Sequence, residues 1–191
     1  MSSLLTGMFP HAASGKAQLL QVNKLPDDLR NTIVVWAGLP ANDGDGFFDR
    51  QLRVALTIQY PNGPLPASED DRLISTADVL PTVFGLAQTT VPENIHGMDV
   101  LRQRQEFLCA EGNLGAPDEW RLVVRGYNKL VVNKKLEPLH LYNLQEDPGE
   151  MNNLAKSRVV PRTIDELRAL LQVWQRRTND GRSASGLKKR G

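Results

Sequence analysis

Cysteine is nearly missing from this chain, which contains Cys109 alone. A single cysteine excludes an intrachain disulfide framework and a zinc site built from cysteines. Long apolar runs are missing too, since no stretch approaches the roughly 18 residues that suggest a membrane-spanning helix. The first twenty residues lack a basic segment followed by an apolar one, so we expect no export signal and, as the sequence is written, a cytoplasmic protein.

The chain also lacks a large excess of positive or negative charge. The 23 Lys and Arg residues oppose 22 Asp and Glu residues, which gives a formal net charge of +1. This balance offers neither the basic footprint of a nucleic-acid-binding protein nor an acidic tail. With 191 residues, 40% of them hydrophobic, the chain is long enough for one globular domain or for a domain with a small appendage.

The first hundred residues show the pattern of an α/β fold. A β-branched run at 31–36 (NTIVVW) is typical of a strand buried on both faces, and 52–60 indicates a second strand ended by a Pro-Asn-Gly turn. The intervening residues 37–46 are rich in Gly, Pro, Asn and Asp, which predicts a loop. Apolar residues predict a helix over 73–87, with Pro81 in it or near its start, that covers a parallel sheet.

The second half of the chain contains short alternating apolar segments. Four strands separated by turn residues are predicted over 106–110, 121–125, 129–133 and 140–142. A tight turn at 145–150 comes after them. These features together predict a small antiparallel sheet.

A C-terminal helix should cover that sheet. Thr163 with Glu166 three residues later predicts a capping box at its start, and the helix should end near Asp180. Residues at helical spacing give it one apolar face: Ile164, Leu167, Leu170, Leu171 and Trp174. The basic tail at 181–191 is expected to be disordered.

Two C-terminal segments carry a specific family resemblance. Residues 120–132 are WRLVVRGYNKLVV and residues 141–154 are LYNLQEDPGEMNNL. Together they resemble the sulfatase pattern W-R-x-V-R-T-G-x-Y-K-L-V … L-Y-D-L-x-x-D-P-x-E-x-x-N-L. The residues alone predict the same structure: a hairpin, a strand, and an Asp-Pro-Gly turn that redirects the chain into a closing helix.

Further similarities lie nearer the N terminus. Residues 75–83 (STADVLPTV) are similar to the S-x-x-D-L-x-P-T-L helix of sulfatases, and 53–61 (RVALTIQYP) to R-V-P-L-I-I-R-Y-P. Both segments are expected to be mainly structural. Residues 3–11 (SLLTGMFPH) are similar to S-L-L-T-G-x-Y-P-H, which comes after the signature C-x-P-S-R in bacterial sulfatases. The similarity covers residues 1–14 and 31–180, with a gap where a full-length enzyme has a long central region.

The resemblance implies a partial sulfatase-like fold, of the alkaline phosphatase-like α/β class. Residues 1–100 would be a remnant of the α/β core, with its sheet and helices. Residues 101–180 would be the C-terminal sulfatase subdomain, a four-stranded antiparallel sheet packed by the C-terminal helix. Residues 181–191 remain as the basic tail.

The resemblance also implies the chemistry of sulfuric ester hydrolysis. In sulfatases a formylglycine, made from the signature cysteine, becomes a gem-diol whose hydroxyl attacks the sulfate sulfur. A calcium ion, held by an early Asp pair and a later Asp with His or Asn, orients the ester and stabilises charge on its oxygens. Lys and His side chains neutralise the sulfate and protonate the leaving oxygen.

Most of these groups are missing from the 191 residues. Cys109 lies in FLCA, unlike C-x-P-S-R, and neither the early Asp pair nor the G-K-W-H region is found. Where sulfatases carry T-S-D-H-G, residues 36–45 are WAGLPANDGD, so only Asp43 or Asp45 could replace the metal-ligating Asp. Either one could instead form a turn by accepting hydrogen bonds from nearby backbone N–H groups. We therefore assign no catalytic residue and expect no cofactor in this chain.

Other polar residues have plain structural interpretations. Cys109 is expected to be a buried thiol in a strand. The three histidines are far apart in sequence, which predicts surface or hydrogen-bonded residues rather than a metal cluster: His11, His96 and His140. Three acidic residues suggest a cation site, but their position in a turn predicts solvated side chains: Glu146, Asp147 and Glu150.

Two functional hypotheses are consistent with these residues. The first is a sulfuric ester hydrolase by descent, truncated and internally shortened, without activity as the chain stands, and with a sulfate ester as substrate only if it is active. The second is a non-catalytic remnant or interaction module that retains the sulfatase C-terminal scaffold and pairs with another chain. Neither includes a nucleic acid or membrane partner. Strand residues 33–35 and 56–58 would be exposed without neighbouring strands, which predicts low stability or self-association.

Overall fold

The computed structural model describes residues 32–37, 46–54, 56–60, 63, 72–93, 95–157 and 160–178. The chain divides into two compact units after Arg104. The N-terminal segment 3–11 and the basic tail 181–191 lie outside the described residues. No helix among the described residues is long and apolar enough to cross a membrane.

The described residues of the first unit form two short strands and two short helices. Its elements, in chain order, are β1 (Val34–Ala37), α1 (Asp49–Leu52), β2 (Leu56–Gln59), a 3-10 turn (Thr76–Asp78) and α2 (Val79–Leu86). The predicted second strand at 52–60 is therefore shorter, because Leu52 closes the one-turn helix α1.

The two strands of this unit pair antiparallel, with Val35 opposite Ile58. The prediction of a parallel sheet for this part of the chain was wrong. A parallel pair needs a crossover, usually a helix of several turns, whereas the described part of this connection holds only α1. Val34 and Val35 are half-buried, so the strand is not buried on both faces as its β-branched run suggested.

The predicted helix over 73–87 is confirmed in a shorter form, as the 3-10 turn followed by α2. Pro81 is buried at the third position of α2. The first N–H groups of a helix have no intrahelical acceptor, so a proline in this first turn removes no helical hydrogen bond.

The second unit is a four-stranded sheet with one long helix. Its strands are β3 (Leu108–Gly112), β4 (Trp120–Arg125), β5 (Asn128–Asn133) and β6 (Pro138–Asn143), and the helix is α3 (Pro161–Arg177). The sheet order is β3-β4-β5-β6, with every neighbouring pair antiparallel. All four predicted strands and the fold class are thereby confirmed.

Helix α3 packs its apolar stripe on one face of this sheet. Ile164, Leu167 and Leu171 join four buried strand residues in one core: Val123, Leu130, Val132 and Leu141. Leu170 and Trp174 pack against this core and are partly buried. The predicted apolar face of the helix is confirmed.

The start of α3 differs from the prediction. The helix begins at Pro161, with Val160 at the N-cap, so Thr163 lies inside the first turn and does not cap it. A proline at the first helical position has a backbone φ already suited to the helix and lacks only an N–H that would be unpaired there. The capping-box prediction for Thr163 and Glu166 was therefore wrong. The regular helix ends at Arg177, three residues before the predicted end.

Leu171→Ala is expected to lower the free energy of unfolding by about 2–5 kcal/mol, because this fully buried side chain fills the centre of the core. Urea denaturation followed by circular dichroism measures the change. The matched control is Leu114→Ala, since Leu114 lies in the same unit with 45% of its surface exposed. We expect the control to change stability by about 0.5 kcal/mol or less. Equal losses for the two variants would contradict this packing.

Candidate functional site

A buried ion pair joins the two C-terminal motif segments. Lys129 Nζ lies 2.6 Å from Glu150 Oε1, and the side chains are 0% and 3% exposed. Strand alternation places Lys129 on the sheet face opposite to the α3 core, since the adjacent Leu130 belongs to that core. The prediction of a solvated Glu150 was wrong. Lys129 is charged and buried in β5, so it needs a carboxylate partner at this position.

Asp147 shapes the turn that delivers Glu150 to the lysine. Its carboxylate oxygens accept the N–H groups of Met151, at 3.0 Å, and Asn152, at 2.7 Å. Its carbonyl accepts the Glu150 N–H at 3.1 Å, and its own N–H donates to the carbonyl of Asn143. Both carboxylate oxygens accept backbone N–H groups and the side chain is half-buried, so the turn at 145–150 is confirmed but Asp147 is not the solvated carboxylate that was predicted.

Asn153 attaches the segment after the turn to strand β6. Its Oδ1 accepts the N–H groups of Leu141, at 3.0 Å, and Ala155, at 2.9 Å, while its Nδ2 donates to the carbonyl of Leu139 at 2.9 Å. The Leu154 N–H adds a hydrogen bond to the Leu141 carbonyl at 2.8 Å. This segment therefore covers the outer edge of β6, where an open strand would otherwise expose its backbone groups.

Tyr142 and His140 complete the polar cluster on this side of the sheet. Tyr142 lies opposite Lys129 in the β5–β6 register, and its hydroxyl is 3.0 Å from His140 Nδ1. Burial raises the pKa of Tyr142, and the Glu150 and Asp147 carboxylates raise it further. The phenol is therefore neutral at physiological pH. Asn153 Nδ2 also contacts His140 Nδ1 at 3.0 Å, so His140 is hydrogen-bonded as predicted.

A second polar arrangement stabilises the first unit. Buried Asp78 accepts the Ser75 N–H at Oδ2, at 2.8 Å, and the Met98 N–H at Oδ1, at 2.9 Å. The Thr82 hydroxyl donates to the Asp78 carbonyl and accepts the Val100 N–H. The Ser, Asp and Thr of this motif therefore attach residues 98–100 to helix α2. This confirms the prediction that the segment is structural.

Two glycines allow residues 97–99 to lie close to the 3-10 turn and to α2. A Cβ at Gly97 would overlap the Ala77 carbonyl, and a Cβ at Gly85 would overlap the Asp99 carboxylate. A side chain at Gly97 would meet backbone and push the 97–99 segment away from the 3-10 turn, whereas a side chain at Gly85 would require the Asp99 carboxylate to move.

Neither of the predicted metal-ligand candidates lies within the residues that the structure describes. Asp43, Asp45 and His11 lie outside them. His96 is exposed. No group of three or more His, Cys, Asp or Glu residues that could bind a metal ion occurs in the described part of the chain. These described residues alone do not fit the calcium site that the resemblance implies.

Cys109 lies in β3 and packs against the core of the second unit. Burial raises the pKa of its thiol well above the usual range. A protonated thiol in an apolar setting is a poor nucleophile and a poor metal ligand. Cys109 is a thiol in a strand, as predicted, but it is partly rather than fully buried.

Sequence reasoning missed a second buried cation, Arg121. Its side chain is 1% exposed and lies 2.8 Å from a Glu119 carboxylate oxygen and 3.8 Å from a Glu111 oxygen. The sequence does contain a signal for both buried pairs. Lys129 and Arg121 each lie inside an otherwise apolar strand, and Lys or Arg side chains are rarely buried there without a carboxylate partner.

Two surface grooves also lie among the residues that the structure describes. One, of about 420 Å³, lies in the first unit beside the end of α2 and is lined by Gln88, Thr89 and Arg102 among others. The other, of about 570 Å³, lies in the second unit at the start of α3.

Comparison with known proteins gives relatives in sequence and in structure. No family model matches the chain. An uncharacterised protein from Haemophilus influenzae is 35% identical over 127 residues, which cover 62% of this chain and 64% of that protein. A Delta 4,5-hexuronate-2-O-sulfatase from Bacteroides thetaiotaomicron is 27% identical over 176 residues, which cover 79% of this chain but only 36% of that enzyme.

The solved structures agree with this likeness. A 2-O GAG sulfatase superposes with a TM-score of 0.71 at 24% identity, over 85% of this chain and 40% of that chain. This likeness identifies the fold. The chain therefore spans about two thirds of the first relative and about two fifths or less of the two sulfatases.

Lys129→Met is expected to lower the free energy of unfolding by about 3–5 kcal/mol, because it leaves the Glu150 carboxylate buried without its cation. The double variant Lys129→Met/Glu150→Met should recover most of that loss, since it buries neither charge. Urea unfolding of the wild type, both single variants and the double variant measures the coupling between the two residues.

The control for these four proteins is Lys134→Met. Lys134 is an exposed lysine after β5, so its replacement should leave the free energy of unfolding nearly unchanged. A double variant that loses as much stability as the two single variants added together would show that the two side chains do not interact.

Proposed function

We propose that this chain, which carries a sulfatase-like C-terminal region, serves as the structural C-terminal part of a sulfuric ester hydrolase and does not hydrolyse sulfate esters by itself. The observation that carries the proposal is the buried Lys129–Glu150 pair. It joins the same two segments, 120–132 and 141–154, in which the resemblance to sulfatases is most specific. The likeness to the 2-O GAG sulfatase over 85% of the chain supports the same fold assignment.

The proposed lack of turnover rests on the cysteine. The nucleophile that the resemblance implies is a formylglycine made from a cysteine in C-x-P-S-R. The 191 residues contain one cysteine, which lies in the different sequence FLCA. Its thiol is held protonated in β3 against an apolar core. Cys109 therefore has a packing role in the proposal and no role as a nucleophile.

The proposed substrate class for the assembled enzyme is a sulfated carbohydrate. The sulfatase relatives from Bacteroides thetaiotaomicron are described as acting on hexuronate and N-acetylglucosamine sulfates. Either Asp43 or Asp45 is the proposed remaining metal ligand of this chain, because both come after β1 at the place where sulfatases carry a ligating Asp.

The second candidate is a non-catalytic interaction module that pairs with another chain or with a second copy. The observation that favours it is the two-stranded sheet of the first unit. Each of β1 and β2 has a single strand neighbour among the described residues, so each has one edge without a strand partner there. An unpaired strand edge is a template for pairing with another chain.

We expect the purified chain to release no more p-nitrophenol from p-nitrophenyl sulfate, and no more sulfate from a panel of sulfated sugars, than a blank with calcium present. An active sulfatase assayed in the same buffer controls for the conditions. Hydrolysis that purifies with the chain and is lost in the double variant Asp43→Ala/Asp45→Ala would overturn the proposal and would identify those aspartates as functional.

Self-association of the chain is expected to increase with concentration in size-exclusion chromatography with light scattering. Val35→Lys and Ile58→Lys place a charge on half-buried residues that face each other across the β1–β2 pair. Each variant should shift the population towards monomer, since charged side chains on exposed strands oppose pairing. Leu114→Lys, in the other unit, serves as the control and should leave the distribution unchanged. A wild-type chain that stays monomeric and unfolds cooperatively at all concentrations would rule out this interface.

A further inference from the structure

Residues 152–155, the cover segment, occupy the backbone groups that β6 turns away from β5. The Leu141 N–H donates to Asn153 Oδ1 at 3.0 Å, and the Leu141 carbonyl accepts the Leu154 N–H at 2.8 Å. The Leu139 carbonyl accepts a hydrogen bond from Asn153 Nδ2 at 2.9 Å. On the open side of a strand, every second residue presents its N–H and C=O groups. The cover segment therefore forms, mainly through a side-chain amide, the hydrogen bonds that a neighbouring strand would form.

Strand β6 has little protection against pairing in its own sequence. Its residues, PLHLYN at 138–143, include no Lys, Arg, Asp or Glu. Its proline stands at the first position only, and Leu139 is 40% exposed. Strand β3, at the other side of the same sheet, contains Glu111. Charged side chains, proline and covering segments all keep strand edges from pairing with other chains. On β6 this protection therefore depends on the cover segment.

The cover segment has the features of a part of the chain that opens locally. It forms no helix or strand, and Asn152 and Asn153 are exposed. Leu154 and Ala155 are half-buried and pack against the core. Segments with exposed hydrogen bonds and few buried side chains open at a lower free-energy cost than the core beside them. Closure of this segment depends most on Asn153, because its amide provides most of the hydrogen bonds to β6.

The uncovered edge of β6 is complementary to a second copy of itself. Two β6 strands placed antiparallel about a two-fold axis at His140 bring Leu139 of each copy opposite Leu141 of the other. In that register, the N–H and C=O groups that the cover segment occupies would form hydrogen bonds between the copies. The cover segment and a second copy therefore compete for the same backbone groups.

We propose that the cover segment is a removable cover of the β6 edge, and that two copies of this chain join their four-stranded sheets through β6 when it opens. Asn153 holds the cover in place. The proposal concerns the second unit and does not rest on the proposed sulfatase function. It also differs from the self-association proposed for β1 and β2, because it uses another strand and requires an opened segment.

The test is size-exclusion chromatography with light scattering on Asn153→Ala over a range of concentrations. All chains carry Ile58→Lys, so that pairing through β1 and β2 is opposed in every sample. Asn153→Ala removes the side-chain hydrogen bonds to β6 and should raise the dimer population by roughly tenfold or more at equal concentration. Asn152→Ala is the matched control, because Asn152 is a neighbouring exposed asparagine whose backbone N–H makes its hydrogen bond to Asp147. It should stay as monomeric as the parent chain.

The double variant Asn153→Ala/Leu139→Lys shows whether the dimer uses β6. A lysine in place of the exposed Leu139 puts a charge on the strand edge and should return the chain to monomer. Hydrogen exchange gives a second readout. The Leu141 N–H of Asn153→Ala should lose protection at low concentration and regain it where the dimer forms. A protein that is merely destabilised would lose protection at both concentrations and throughout the second unit.

The parent chain allows a measurement that does not require the alanine variant to fold. At high protein concentration and a temperature below its melting transition, local opening should produce the same dimer, and Leu139→Lys should abolish it. An Asn153→Ala chain that folds and stays as monomeric as Asn152→Ala overturns the proposal. A dimer that persists with Leu139→Lys overturns it too. If Asn153→Ala does not fold, a parent chain that stays monomeric below its melting transition has the same consequence.

Discussion

The buried pair of Lys129 and Glu150 is the constraint on which the second unit depends. A lysine without a partner inside a sheet would cost several kcal/mol in lost hydration, so the turn after β6 must bring a carboxylate back to β5. Asp147 bends that turn, and Asn153 fastens the next segment of the chain to the edge of β6. The chain is thereby fixed in direction before it enters α3, whose apolar stripe covers the opposite face of the same sheet.

The most specific motifs of the chain are therefore explained by structure. The C-terminal pair forms the ion pair, the turn and the edge cover, and the Ser-Asp-Thr motif of the first unit attaches residues 98–100 to α2. Hydrogen bonds and burial explain why these residue types occur at these positions, and no catalytic role is needed to explain them. A likeness that consists mainly of such residues identifies a scaffold more securely than it identifies a reaction.

Much of the second unit could be predicted from sequence, because its four strands and the apolar stripe of α3 obey simple periodicity. The direction of pairing between β1 and β2 could not, since it depends on a connection whose described part is a single helical turn. The lysine inside an apolar strand indicated that Lys129 needs a carboxylate, but the turn sequence predicts an exposed Glu150, so the sequence does not identify this partner 21 positions away. The predicted metal candidates Asp43 and Asp45 remain predictions, because they lie outside the described residues.

The backbone at Glu150 imposes a further restriction, since its φ of 55° lies in the left-handed region. Glycine would relax that backbone but would remove the carboxylate, and most other side chains would keep the strain and lose the charge. The residue that position 150 tolerates therefore depends on the residue at position 129. A substitution that removes the charge at one position leaves the other charge buried alone, so we expect such changes at the two positions to occur together in a diverging lineage.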